Sequence, residues 1–291
     1  MGGSGLAVPR LDGPSLEDRS EAGSRGHAGG LAWLDPMFPI RDENPHFLTP
    51  LVTIALIVAN ALCWTLLQGL GQESQLVSSV CELGLIPGEL LQRLPAGAAF
   101  PLGPGATCVI QADPAWYTIV TSMFLHGGWL HLIGNMWFLW IFGNNVEDSM
   151  GHARFLCFYL LCGLAAAALQ IVSQPDSGVP MVGASGAIGG VMGAYVVLYP
   201  RVRIHMLVFF GIFVRTLAVP ASFMLGYWFV LQLLGGAVSL GRAGGGVAFW
   251  AHVGGFGAGA VLVLLFRNPQ LVARHPAHGW RRIPPEVGER R

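Results

Sequence analysis

Long apolar segments, separated by loops and nearly free of charge, constrain this chain more than any other feature. A helix needs roughly 17–25 mostly apolar residues to cross a bilayer. Stretches of that length, or slightly shorter, recur at about 48–70, 128–146, 154–172, 185–199, 219–236 and 249–266. The fourth is short and is ended by Pro200. Residues 204–214 are also apolar, but Arg215 follows before the next run, so they read as a re-entrant or interfacial piece. Only 11% of the residues are charged, against about 25% in soluble domains. The expected fold class is therefore an all-α membrane protein, a six-transmembrane-helix bundle with a long first outer loop over 71 to 115. Residues 1–47 and 268–291 read as solvated tails around a domain over 48–267, the first of them flexible and without the apolar run of a secretory signal.

Arginine gives this topology a direction. The chain has no lysine. With six spans both termini share a side. If that side is inner, the inner segments carry Arg154, Arg201, Arg203, Arg215, Arg267, Arg274, Arg281, Arg282, Arg290 and Arg291, and the outer loops only Arg93 and Arg242. Basic residues concentrate on the cytoplasmic side of membrane proteins, so both termini are expected in the cytoplasm of a multi-pass cell-membrane protein. Seven spans would set the basic tail opposite Arg201 and Arg203, and rank lower. Zero net charge gives no reason to expect a nucleic-acid partner.

The same topology brings four polar residues to one depth. Ser185 opens the fourth span, His252 lies about three residues into the sixth, and His131 and Asn135 sit early in the second. At about 1.5 Å per residue they lie roughly 5–10 Å below the outer surface. His131 and Asn135 are four apart and share a helical face. A lone membrane serine commonly bonds its own helix, and a lone His or Asn commonly links two helices. Four such groups in one layer are harder to explain that way. Ser185 lies within Gly183-Ala184-Ser185-Gly186, so its hydroxyl is accessible. Ser185, Gly189 and Gly193 form one small-residue stripe, and His252, Gly255 and Gly259 another. Such stripes let membrane helices approach closely, which would bring Ser185 to His252.

That pairing suggests hydrolysis. A neutral imidazole within about 3 Å can take the proton of a serine hydroxyl. No span interior holds an Asp or Glu; Glu147 and Asp148 sit at the inner end of the second. The expected unit is a Ser-His dyad rather than a triad. Oxyanion donors would be the Asn135 amide, a ring N–H of His131 and the Ser185 backbone N–H at a helix start.

These residues resemble the rhomboid family of intramembrane serine proteases. The resemblance rests on His126-Gly-Gly-Trp-Leu-His131-Leu-Ile-Gly-Asn135, on Gly183-Ala-Ser-Gly186 and on Ala251-His252-Val-Gly-Gly255, in the family's order and spacing, and covers about 48–267. It implies Ser185 as nucleophile and His252 as general base. It puts His131 and Asn135 on the oxyanion side, with Gly183 in support, and gives His126 a role in structuring the second helix and the first loop. It implies a single-span membrane protein as substrate, cut near its outer end after a small residue, and no metal or cofactor.

Two departures stand out. The family often has an aromatic residue four after the serine, packed on the catalytic histidine; here that position is Gly189, and the role would pass to Phe249, Trp250 or Phe256. Where the family's first loop often has a Trp-Arg pair, this chain has Tyr117-Thr118, which concerns the anchoring of the loop. Cys81 and Cys108 share that loop and could pair if it is extracytoplasmic; loose thiols are the alternative. The rival functions are an inactive rhomboid-like binding protein, which would lack the serine or histidine, and a small-solute transporter or channel, which would need intramembrane charges. A haem protein using His131 and His252 would leave the serine motif idle. No HExxH is present for a zinc protease, and the spans lack aspartates for an aspartyl one.

Overall fold

The structure, a computed structural model, describes residues 37–103, 105–210, 213–240 and 247–278. Residues 1–36 and 279–291 of the expected tails lie outside the described residues, as do Arg242, Arg281, Arg282, Arg290 and Arg291 of the arginine tally. In chain order the elements are β1 (Met37–Asp42), α1 (Leu51–Leu62), α2 (Glu73–Leu83), α3 (Pro87–Leu90), β2 (Ala99–Gly103), β3 (Ala106–Val109), α4 (Thr118–Thr121), α5 (Trp129–Met150), α6 (His152–Ser173), α7 (Ser185–Leu198), β4 (Arg203–Phe210), β5 (Phe213–Pro220), α8 (Ala221–Ser239), α9 (Phe249–Phe266) and α10 (Pro269–Val272). The molecule is mostly helical. Helices α6, α8 and α9 are long and apolar enough to cross a membrane; α7 and the segment Leu51–Leu67 are shorter apolar helices. Large apolar side chains point away from the core, among them Leu130, Val172 and Leu265 at 75% exposure or more. Lipid accommodates such a surface where water does not.

Helix α7 is the axis of the packing, buried along most of its length between α5, α6 and α9. Its glycines make this possible. A Cβ on Gly255 would strike the Gly186 carbonyl, one on Gly259 the Gly190 carbonyl, and one on Gly193 the Phe256 carbonyl. The two small-residue stripes thus meet backbone to backbone. On the α6 side Gly186 faces Ala166 and Gly190 faces Cys162. Close approach recovers through many short dispersion contacts what lipid cannot supply as a hydrophobic driving force.

The far end of α5 is held by carboxylates. Glu147 accepts from the Val52 amide at 2.9 Å, the Thr53 amide at 2.8 Å and the Thr53 hydroxyl at 2.7 Å. Asp148 accepts from the Phe47 and Leu48 amides at 2.7 and 2.8 Å. The first amides of a helix have no intrahelical acceptor, so Glu147 caps α1 from another helix and favours the positive end of its dipole, while Asp148 holds the chain just before α1. His152 Nδ1 lies 2.6 Å from Glu147, and His275 Nε2 lies 2.9 Å from Asp148. Gly151, at φ 82°, makes the sharp left-handed turn that lets α6 follow α5 directly.

Three expectations are corrected here. The chain is not all-α. Residues 204–214, read as re-entrant or interfacial, contribute to an antiparallel hairpin, β4 and β5, with Arg203 opposite Pro220. A short continuous apolar run does not distinguish strand from helix by periodicity. Residues 37–47, read as flexible tail, include β1, which pairs antiparallel with β4 to give the sheet order β1-β4-β5. Trp137 Nε1 donates to the Pro39 carbonyl at 2.7 Å, and the Tyr195 hydroxyl donates to Asp42 at 2.6 Å. Beyond 267, read as solvated, α10 and the fully buried ring of His275 continue the fold. Their partners lie far along the chain, where local pattern does not reach.

The segment between α1 and α5 carries its own structure. Cys81 of α2 and Cys108 of β3 form a disulfide, with Cα atoms 5.3 Å apart. The hairpin of β2 and β3 pairs Phe100 with Cys108. Without the Trp-Arg pair, anchoring falls to other groups. The Thr121 hydroxyl donates to the Leu83 carbonyl at 2.7 Å, and the Tyr117 hydroxyl to the Glu82 carbonyl at 3.4 Å.

Candidate active site

Ser185 is the first residue of α7, and the turn before it is tightly held. Met181 and Leu85 exchange backbone hydrogen bonds at 2.7 and 3.0 Å, and the Gly183 amide donates to the Ser122 carbonyl at 2.9 Å. Gly183 has φ +126°, a backbone region that side chains rarely enter. A Cβ there would also lie 2.8 Å from both His131 Nε2 and Cε1. Glycine is therefore required twice over, and its absent side chain is what lets the His131 ring reach the serine turn.

The second span's polar residues fall where the turn can use them. The Gly127 amide donates to His131 Nδ1 at 3.2 Å. A nitrogen that accepts is unprotonated, so the neutral ring carries its hydrogen on Nε2, the atom beside Gly183. Asn135 is one helical turn further along α5, 8% exposed, and its side-chain nitrogen has no acceptor among the described residues. Buried donors are normally paired, so this one is free to take an acceptor. His126 is fully buried, edge-on to His131 with ring centres 5.1 Å apart. Burial pushes its imidazole down to about 3, with the neighbouring His131 adding to the effect. Its backbone is clamped by the fully buried Gln68, which accepts from the His126 amide and donates to its carbonyl, both at 2.8 Å. Gln68 ties the end of the first long segment to the start of α5, and its sequence neighbourhood gives no sign of it.

His252, in the first turn of α9, completes the arrangement. Its Nε2 lies 2.8 Å from Ser185 Oγ. Its Nδ1 lies 2.8 Å from Gln232 Oε1 of α8. The Trp228 ring sits 5.7 Å from the His252 ring at 38°. This corrects the expectation that Phe249, Trp250 or Phe256 would pack the imidazole. Phe249 and Trp250 instead lie over Gly235 and Gly236 of α8, and Phe256 stacks on Phe229 at 4.6 Å. Gly189 explains the change. A Cβ at 189 would already be 3.1 Å from the His252 carbonyl, so a larger side chain there would need α9 to give way. The ring support comes from the opposite side, off α8.

A small cavity of about 20 Å³ opens beside Ser185, lined by Val182, Gly183, Gly186, Ala248 and Ala251 among others. That is room for about one water molecule. The structure thus brings together Ser185, His252, His131 and Gly183, with Asn135 on the same helix face as His131 and His126 behind it. Sequence reasoning missed Gln232, Trp228 and Gln68.

A mostly helical fold with large apolar side chains facing outward, built around a half-buried hydroxyl–imidazole contact, is that of a membrane protein. The model of the rhomboid domain matches residues 113–269. A rhomboid-like protein 11 of the Arabidopsis thaliana chloroplast is 40% identical over 29% of this chain and 30% of its own length. The rhomboid protease GluP of Bacillus subtilis is 40% identical over 31% of this chain and 18% of its own length. The putative rhomboid protease YdcA of the same organism is 37% identical over 29% of this chain and 42% of its own length. The matched stretches span less than half of each of these relatives. The chain belongs to the rhomboid family of membrane-embedded proteins, most of whose members are intramembrane serine proteases.

Proposed function

We propose that this protein is an intramembrane serine endopeptidase working with a Ser185–His252 dyad. The observation that carries the reading is the 2.8 Å contact between Ser185 Oγ and His252 Nε2. Ser185 Oγ attacks the scissile carbonyl carbon while His252 Nε2 takes its proton. The carbonyl oxygen becomes the oxyanion, and His131 Nε2–H, the Asn135 amide and the Ser185 backbone N–H are its donors. The C–N bond then breaks, and His252 returns the proton to the leaving amine. Water, for which the cavity beside Ser185 has room, attacks the acyl-enzyme with His252 again as base. A second proton transfer releases Ser185 and the new carboxyl end.

The substrate is a single-span membrane protein, and the Gly and Ala lining of the cavity suits a small residue before the cut. We place the domain in a cell membrane with six spans, over α1 with its extension to Leu67, and over α5, α6, α7, α8 and α9. Both termini are cytoplasmic, from the arginine distribution, and Ser185 lies toward the outer face. The Cys81–Cys108 disulfide supports the same orientation, since disulfides persist in oxidising compartments.

The test is labelling of purified protein with a fluorophosphonate, together with cleavage of a single-span substrate. Wild type is expected to be labelled and to cut. Ser185→Ala is expected to lose both, and His252→Ala to lose cutting with folding intact. Undiminished cutting by Ser185→Ala would overturn the assignment.

A further inference from the structure

We infer that Gln232 is a positioning residue that fixes the tautomer of His252, and that with Trp228 it makes α8 the helix that sets the dyad's geometry. The inference rests on the dyad reading above. A histidine acting as base toward Ser185 must present an unprotonated Nε2, so its hydrogen must sit on Nδ1. Something has to accept that hydrogen. In a Ser-His-Asp triad a carboxylate does so, but among the described residues no carboxylate bonds the His252 ring. Gln232 Oε1, 2.8 Å from Nδ1, is the acceptor.

The amide's orientation follows from its other end. Gln232 Nε2 lies 3.4 Å from the Trp228 carbonyl one turn earlier on α8 and donates to it. The NH2 group is thus directed at an acceptor, and the oxygen is left for His252. Gln232 is only 9% exposed, so water competes poorly for either group. A buried Gln in an apolar helix is costly unless both ends are satisfied, and this one is satisfied by the imidazole.

Trp228 and Gln232 are four apart and share a face of α8. One covers the His252 ring and the other holds its Nδ1. The contact is built by two glycines. Gly235 and Gly236, just beyond Gln232, leave room for the rings of Phe249 and Trp250. The start of α9 therefore lies close against α8, and the two helices come within reach of one side-chain amide. Gly189 on α7 is the other half of this device, since even a Cβ there would press on the His252 carbonyl of α9. A neutral amide also orients the imidazole without introducing a second buried charge.

Two near-isosteric variants of the full-length protein separate this role from packing. Gln232→Met keeps length and volume but loses the acceptor. Gln232→Glu keeps an oxygen that accepts, whether ionised or protonated. Expected for Gln232→Met is a fall in kcat by about 10- to 100-fold, the range for losing a partner that orients a metal-bound histidine and below the cost of losing a triad carboxylate, with KM unchanged and slower fluorophosphonate labelling of Ser185. Gln232→Glu should stay within a few-fold of wild type. In 15N spectra of histidine-labelled protein, wild-type His252 should carry its hydrogen on Nδ1, and Gln232→Met should show mixed tautomers. Wild-type kcat in Gln232→Met, equal loss in both variants, or a wild-type hydrogen on Nε2 would each overturn the inference. The wild-type spectrum decides even if a variant fails to fold. Ser185→Ala, run alongside, isolates the premise: cutting by that variant would sink the dyad itself, whereas its silence with an unaffected Gln232→Met would sink only the role of Gln232.

Discussion

The two ends of α5 hold polar groups in opposite ways. At the Met150 end, Glu147 and Asp148 are almost fully buried and nearly saturated, with backbone amides, a hydroxyl and two imidazoles around them. At the Trp129 end, among the described residues, no carboxylate bonds the polar groups, a buried amide nitrogen of Asn135 is unpaired, and a cavity stands open beside Ser185. The first arrangement resembles a cap built into the tertiary fold, in which charge meets amides that α1 cannot satisfy alone. On the proposed function, the second keeps donors in hand for a charge that arises only during reaction. Neither burial nor an unpaired atom is by itself a sign of function, since Asn145 Oδ1 and the Asn44 amide near the Met150 end also lack partners among the described residues; what sets the Trp129 end apart is the hydroxyl–imidazole contact beside a cavity.

Substitutions at the two ends should therefore separate activity from stability. The largest effect is expected from Ser185→Ala, which should lower cleavage to below about 10⁻⁴ of wild type with little change in Tm. A large loss of Tm instead would make Ser185 a packing residue and erase the contrast. His131→Ala should follow, lowering kcat by about 10²–10³-fold, the range for loss of one oxyanion donor. A change confined to KM would assign the ring to substrate binding. At the other end, Glu147→Ala strands the Val52 and Thr53 amides. Each unpaired buried group costs about 1–3 kcal/mol, so thermal unfolding should shift strongly downward. The fraction that remains folded should be labelled at Ser185 at the wild-type rate. Slower labelling of that fraction would show the ends to be coupled along α5.

Much of this contrast is legible in the sequence, and the missing parts share a cause. The extents of the apolar segments follow from Gly, Pro and Arg at their borders. The approach of α7 to α9 follows from two stripes of small residues, because each stripe is local to one helix. Gln232 and Trp228 were invisible for the opposite reason: their value depends on the depth at which α8 meets α9, which no spacing within α8 encodes. Gly189 marked the gap they fill without indicating the side from which it would be filled. β1 went unread because it gains its meaning from β4, a partner across most of the domain. Gln68 is the same case again, a lone amide whose two bonds go to the backbone of a residue in the next long segment.

His126 gives the smallest expected effect and tests the Trp129 end alone. Its folded-state value of about 3 lies below the roughly 6.5 of a free imidazole. A histidine held neutral by burial stabilises the fold above the unfolded value, and that contribution is lost as pH falls from about 6.5 toward about 3. By pH 5.5 the loss from this residue alone is about 1.4 kcal/mol. Tm should therefore fall between pH 7 and pH 5.5, and His126→Gln, which removes the titrating group, should flatten that fall whatever its own stability at pH 7. The slope is the readout, so a variant that starts lower still reports. An unchanged slope would mean that His126 is already protonated or rehydrated at pH 5.5. The wall behind His131 would then be open to water, and the Trp129 end would owe its unpaired groups to solvent rather than to burial.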